Sequence, residues 1–118
     1  MKRFLPTLLL ALPFIVALAP AVADSPRTIE ITLSRYAFSP AQIQVGLGER
    51  VRLNVTSIDG EHGFQVKQLG VDVAIPAGRT VMLDLMPTEA GIFEIQCSGY
   101  CGRGHRRMKA RLVVTTGE

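Results

Sequence analysis

The sequence predicts an all-β domain, a sandwich of about seven to eight short strands. Three observations lead there. Apolar residues alternate with polar ones over runs of five to eight residues, the period of a half-buried strand. Gly, Pro, Asn, Asp and Ser punctuate those runs at short intervals. No sustained helical periodicity and no repeat of 20–50 residues is visible, which sets aside coiled coils and solenoids.

The strands follow in order. Ile29, Ile31 and Leu33 face one way and Thr28, Glu30 and Thr32 the other, giving a strand at 28–35. Ser39-Pro40 then turns the chain, and a second strand is expected at 41–46, ended by Gly46-Leu47-Gly48. Val51, Leu53 and Val55 alternate with Arg52, Asn54 and Thr56 in a strand at 49–57. Asp59-Gly60 leads into a strand at 63–68. After Pro76-Ala77-Gly78 come Val81, Leu83 and Leu85 in a strand at 79–86. Glu89-Ala90-Gly91 opens a strand at 91–97, and Ala110, Leu112 and Val114 mark the last at 108–115. The alternation predicts antiparallel pairing, and closure of the strands on one another would hide most edges. Met82 and Met86 read as core or surface residues without further role.

Ahead of this body, Lys2 and Arg3 precede an uncharged run over residues 4–23 that ends in Ala21-Val22-Ala23. A basic start, an apolar middle and a small-x-small ending predict a signal peptide over 1–23 and one domain over 24–118. The alternative is an uncleaved anchor, weakened by Pro6, Pro13 and Pro20. Either way the domain is expected outside the cytoplasm, periplasmic or otherwise secreted, or membrane-anchored and facing the periplasm. The whole chain has 118 residues and a net charge of +3. Removing Lys2 and Arg3 leaves 11 basic against 10 acidic residues, a balance of +1 that argues against nucleic acid. A 47% hydrophobic content excludes disorder, and two cysteines exclude a disulfide-dense miniprotein.

The chemistry concentrates in residues 97–108. Cys97, Cys101, His105 and Met108 follow at spacings of four, four and three, with Gly99, Gly102 and Gly104 to let the loop bend. His62 lies at the start of an earlier strand. Two thiolates, two imidazoles and a thioether are a soft donor set, suited to copper and poorly suited to calcium or magnesium. Other readings of the same residues stay open. Cys97 and Cys101 could pair as a disulfide in an oxidising compartment. Two Cys and two His could hold structural zinc. His105 could be one more polar residue among basic neighbours, and Met108 could only pack in the core.

The loop Cys97-x-x-x-Cys101-x-x-x-His105-x-x-Met108 resembles the CuA motif of cupredoxin domains, found in subunit II of haem-copper oxidases and in nitrous oxide reductase. Tyr36-Ala37-Phe38-Ser39-Pro40 with Ile43, Val45 and Gly48 is similar to the first part of such domains. Asp59-Gly60-Glu61-His62-Gly63-Phe64 resembles the segment carrying the upstream His. Residues 69–71, 75–79 and 91–98 resemble the segments that follow it and lead into the metal loop. The resemblance implies a cupredoxin-like Greek-key sandwich with two copper ions, one copper being the alternative. It implies bridging thiolates from Cys97 and Cys101, one imidazole each from His62 and His105, and weak ligation by Met108 and the Gly99 carbonyl. It implies electron transfer without a catalytic position, so the domain is expected to be no enzyme in itself, at most a component of an oxidase. A copper chaperone, store or sensor is the alternative. Asp59 and Ser98 are expected to support the ligands, and Tyr100 to pack beside them or mark an electron path.

The sequence departs from the oxidase pattern. Oxidases commonly have Glu where Gly99 stands, use a Trp cluster where this chain has no Trp, and carry two membrane helices against at most one here. Their docking face is acidic, whereas Arg103, Arg106, Arg107, Lys109 and Arg111 crowd this loop. A small stand-alone protein is therefore expected. The basic run reads either as a solvated loop and strand or as a dock for an acidic redox partner. A membrane partner is expected only if the N-terminal segment stays attached.

Overall fold

The computed structural model describes residues 2–17, 26–99 and 101–116. Residues 2–17 are exposed and carry neither helix nor strand. The expected cleavage site at 21–23 lies outside the described residues. No helix among the described residues is long and apolar enough to cross a membrane.

Among the described residues, nine strands form two sheets. They are β1 (Arg27–Ser34), β2 (Ala37–Ser39), β3 (Gln42–Gly46), β4 (Val51–Ser57), β5 (His62–Val66), β6 (Val71–Ile75), β7 (Thr80–Leu85), β8 (Gly91–Gln96) and β9 (Lys109–Thr115). One sheet has the order β2-β1-β4-β7 and the other β3-β9-β8-β5-β6. All seven expected strands are present. The two additions are the three-residue β2 and β6, whose Val71, Val73 and Ile75 alternate with Asp72 and Ala74 but end at Pro76.

The expected antiparallel pairing holds for most neighbours but not for all. β1 runs parallel to β4, with Ile31 opposite Val55, and β3 runs parallel to β9, with Val45 opposite Val114. The chain crosses to the other sheet between each pair's members, so the returning strand can enter in the same direction.

The alternation is read out in burial. Ile31, Leu33, Val51, Leu53, Val55, Ala110, Leu112 and Val114 face the core, where Phe38 meets Phe64 edge-on with centroids 6.1 Å apart. β7 ends its sheet, so Val81, Leu83 and Leu85 are only half-buried and Met82 and Met86 lie on the surface. Antiparallel pairing sets Gln65, near the end of β5, opposite Gln96, the last residue of β8, so the start of β5 runs on past the end of β8. That places His62 next to the β8–β9 loop.

Candidate metal centre

The loop is held at its base by one backbone bond, from Cys97 N–H to the Met108 carbonyl at 3.2 Å. It therefore leaves β8 and re-enters β9 at adjacent points. Inside it, a single 3-10 turn spans His105–Arg107, with His105 N–H donating to Gly102 O at 3.1 Å and Met108 N–H to His105 O at 3.2 Å. This turn puts His105 and Met108 on the side of Cys101.

Gly63 decides how closely β5 approaches the loop. A Cβ there would fall on the Ser98 backbone and hydroxyl. Its absence lets Gly63 N–H donate to Cys97 Sγ at 3.4 Å. Tyr36 supports the loop from the other direction: its ring lies where a side chain on Gly102 or Gly104 would go. Gly102 also has φ of 130°, a second reason for glycine at that position.

The donor atoms converge. Cys97 Sγ lies 2.9 Å from Cys101 Sγ, and both cysteines are free thiols, so the disulfide reading does not describe this structure. His62 Nδ1 is 4.0 Å from Cys97 Sγ, His105 Nδ1 is 3.5 Å from Cys101 Sγ, and Met108 Sδ is 3.9 Å from Cys101 Sγ. Among the described residues, the ligand atoms of His62, Cys97 and Cys101 all lie within 4.8 Å of one another, and all three residues are buried. Met108 is fully buried, and His105 is partly exposed. Gly99 lies in the exposed part of the loop with φ of 71°. Tyr100 lies outside the described residues.

The electrostatics fit metal capture. His62 Nε2 is 2.6 Å from Asp59 Oδ1, and Asp59 Oδ2 accepts from Arg35 N–H at 2.7 Å. A carboxylate on Nε2–H fixes the ring and leaves the Nδ1 lone pair facing the thiols. The His62 bond first, and the Arg35 N–H second, hold the Asp59 carboxyl below its usual range. Burial, together with the neighbouring Cys97 thiol, pushes the Cys101 thiol up to about 12. Without a metal this cysteine is protonated at neutral pH, so a bound ion must displace its proton. The convergent donors are sulfur and imidazole nitrogen with no carboxylate among them, the soft set that copper favours.

Sequence reasoning brought forward every converging side chain and Asp59. It missed two supports. Tyr36 carried no local sign that it would reach residues 102 and 104. Gly63 stands out in the sequence only as a neighbour of His62. Ser98 stands against Gly63 and offers its carbonyl 3.7 Å from Cys97 Sγ.

A two-sheet sandwich with a buried Cys, His and Met donor set between one strand start and one hairpin loop defines a β-sandwich domain with a candidate metal centre. The chain matches the cupredoxin-like domain family over residues 6–114 and belongs to that family. It is 29% identical over 87 residues to cytochrome c oxidase subunit 2 of Thermus thermophilus, covering 74% of this chain and 64% of that protein. It is 26% identical over 91 residues to nitrous-oxide reductase of Cupriavidus necator, covering 74% of this chain and 14% of that protein. The chain thus spans less than two thirds of these relatives. Its fold is similar to the periplasmic domain of subunit II of cytochrome oxidase from Bradyrhizobium japonicum, with TM-score 0.68, 21% identity and coverage of 75% and 83%.

Proposed function

We propose that this domain is a copper electron-transfer module with a dinuclear, CuA-like centre, working outside the cytoplasm. The observation that carries the reading is the 2.9 Å approach of the two thiols with one imidazole Nδ1 beside each. Cys97 and Cys101 would bridge two coppers, His62 and His105 would each bind one, and Met108 and the Gly99 carbonyl would be weak ligands. When bound, the pair of coppers supplies a one-electron couple whose unpaired electron is shared across the thiolates.

The residues of the chain do the rest. Asp59 holds the His62 ring, and the Cys97–Met108 backbone bond fixes the width of the loop. Tyr36 and Gly63 restrict how the loop can shift. Burial of four of the five side-chain donors excludes water from them. Such rigidity keeps rearrangement small when charge changes, which suits electron transfer. If all five side chains ligate, no metal position is left for a substrate, which supports a carrier over an enzyme. Removal of residues 1–23 on export is part of this reading.

The test is copper per chain measured together with the electron paramagnetic resonance spectrum of the loaded protein. Two coppers and hyperfine structure richer than one nucleus can give support the proposal. One copper with a single-nucleus pattern overturns the dinuclear centre and moves the protein to copper handling.

A further inference from the structure

We propose that the rim of this centre docks an acidic protein surface, the face of a redox partner; the proposal rests on the electron-transfer reading above. Residues 97–111 contain Arg103, Arg106, Arg107, Lys109 and Arg111 and no Asp or Glu. Two cations elsewhere are paired, Arg27 with Glu49 at 2.6 Å and Arg52 with Asp84 at 2.9 Å. Arg103, Arg106 and Arg107 are exposed, and none has an ion-pair partner among the described residues. Their charge is held toward solvent beside the metal ligands.

The place of this charge gives it meaning. His62, Cys97, Cys101 and Met108 are buried, and His105 is the partly exposed member of the donor set. An open groove of about 560 Å³ runs past Cys97 and His105. Three cations line it, Lys67, Arg106 and Lys109, against one carboxylate, Asp72. Lys109 lies 3.6 Å from Glu94, and Asp72 keeps its charge while accepting from Gln65, so Lys67 and Arg106 outnumber Asp72 and leave the groove net positive. A partner that comes close enough to His105 for electron exchange must enter this positive field. Carboxylates on the partner are steered in, and a lysine-rich face is turned away. An anionic membrane is the weaker fit, because none of the large exposed apolar residues among those described lies in the loop.

The experiment uses the copper-loaded full chain and one cytochrome c in two forms, native and lysine-rich, or with its lysines succinylated. Binding is measured by titration calorimetry at low and at physiological salt. The succinylated form should bind and weaken with salt, and the native form should not bind. Arg106→Glu with Arg107→Glu should weaken binding roughly tenfold at low salt, whereas Arg79→Glu, in the turn before β7, should leave it unchanged. Copper content and spectrum verify that each variant keeps its centre. Equal binding of both cytochromes, equal loss in Arg79→Glu, or tighter binding to phosphatidylserine vesicles than to the succinylated cytochrome overturns the proposal. Reduction of the loaded copper by ascorbate is read separately. Failure there removes the electron-transfer reading and leaves calorimetry to decide the docking.

Discussion

His62 is held at both ring nitrogens, with Asp59 on Nε2 and the thiols facing Nδ1. Asp59→Ala removes the carboxylate that orients the ring, and copper affinity should fall about 10–100-fold in competition with a chelator. The same carboxylate sets an acid dependence. Its folded pKa lies below the ordinary value of 3.8, so its contribution to stability is complete above that value. The contribution is lost as pH falls through the lowered folded pKa. Asp59→Asn should therefore flatten the acid limb of thermal melts. Cys101 works in the opposite sense. With its thiol pushed up to about 12, loading must release a proton, and apparent copper affinity should rise with pH across the neutral range, up to about tenfold per pH unit for each proton displaced. Competition titrations at several pH values read that slope directly, and a flat profile would contradict a protonated Cys101.

Arg35 and Tyr36, adjacent at the β1–β2 turn, reach two separate parts of the centre. Arg35 N–H bonds the carboxylate behind His62, while Tyr36 occupies the space left by Gly102 and Gly104. Tyr36→Ala should leave the sandwich folded, lower stability by about 1–3 kcal/mol, and loosen the loop enough to broaden the metal spectrum. Gly63→Ala should be harsher, since its methyl falls on the Ser98 backbone, which has no rotamer by which to escape. Such supports were the least legible features in the sequence. Cys97, Cys101, His105 and Met108 sit within 12 consecutive residues, so their spacing alone displays a donor set. His62 enters the donor set as the chain's other histidine, not by loop spacing, because 34 residues intervene before Cys97, and the family resemblance adds its ligand role. Alternation marked the strands of the core well, since burial on one face imposes period two. It said nothing of which strand lies beside which, and so missed the parallel β1–β4 and β3–β9 pairs. β2 was too short to show a period.

The molecule as a whole is a small sandwich whose metal donors join β5 to the β8–β9 hairpin. An ion that binds only the folded state adds its binding free energy to stability. At a free copper level about 1,000 times the Kd, that is about 4.1 kcal/mol. At about 4–8 °C per kcal/mol, the melting temperature should rise by more than about 15 °C. Calorimetry before and after chelation reads this, and an unchanged transition would mean that copper sits outside the folded centre.

The long interval between His62 and Cys97 also orders the protein's assembly. A chain not yet folded still presents Cys97, Cys101, His105 and Met108 on one short ribbon, able to catch a soft ion in a loose grip. The second imidazole arrives only when β5 lies against β8, the contact that joins the β8–β9 hairpin to the β5–β6 pair in the five-stranded sheet. With copper in the proposed centre, a mature spectrum would report that β5 has met β8, and a chain loaded too early would show itself by its colour before that contact formed.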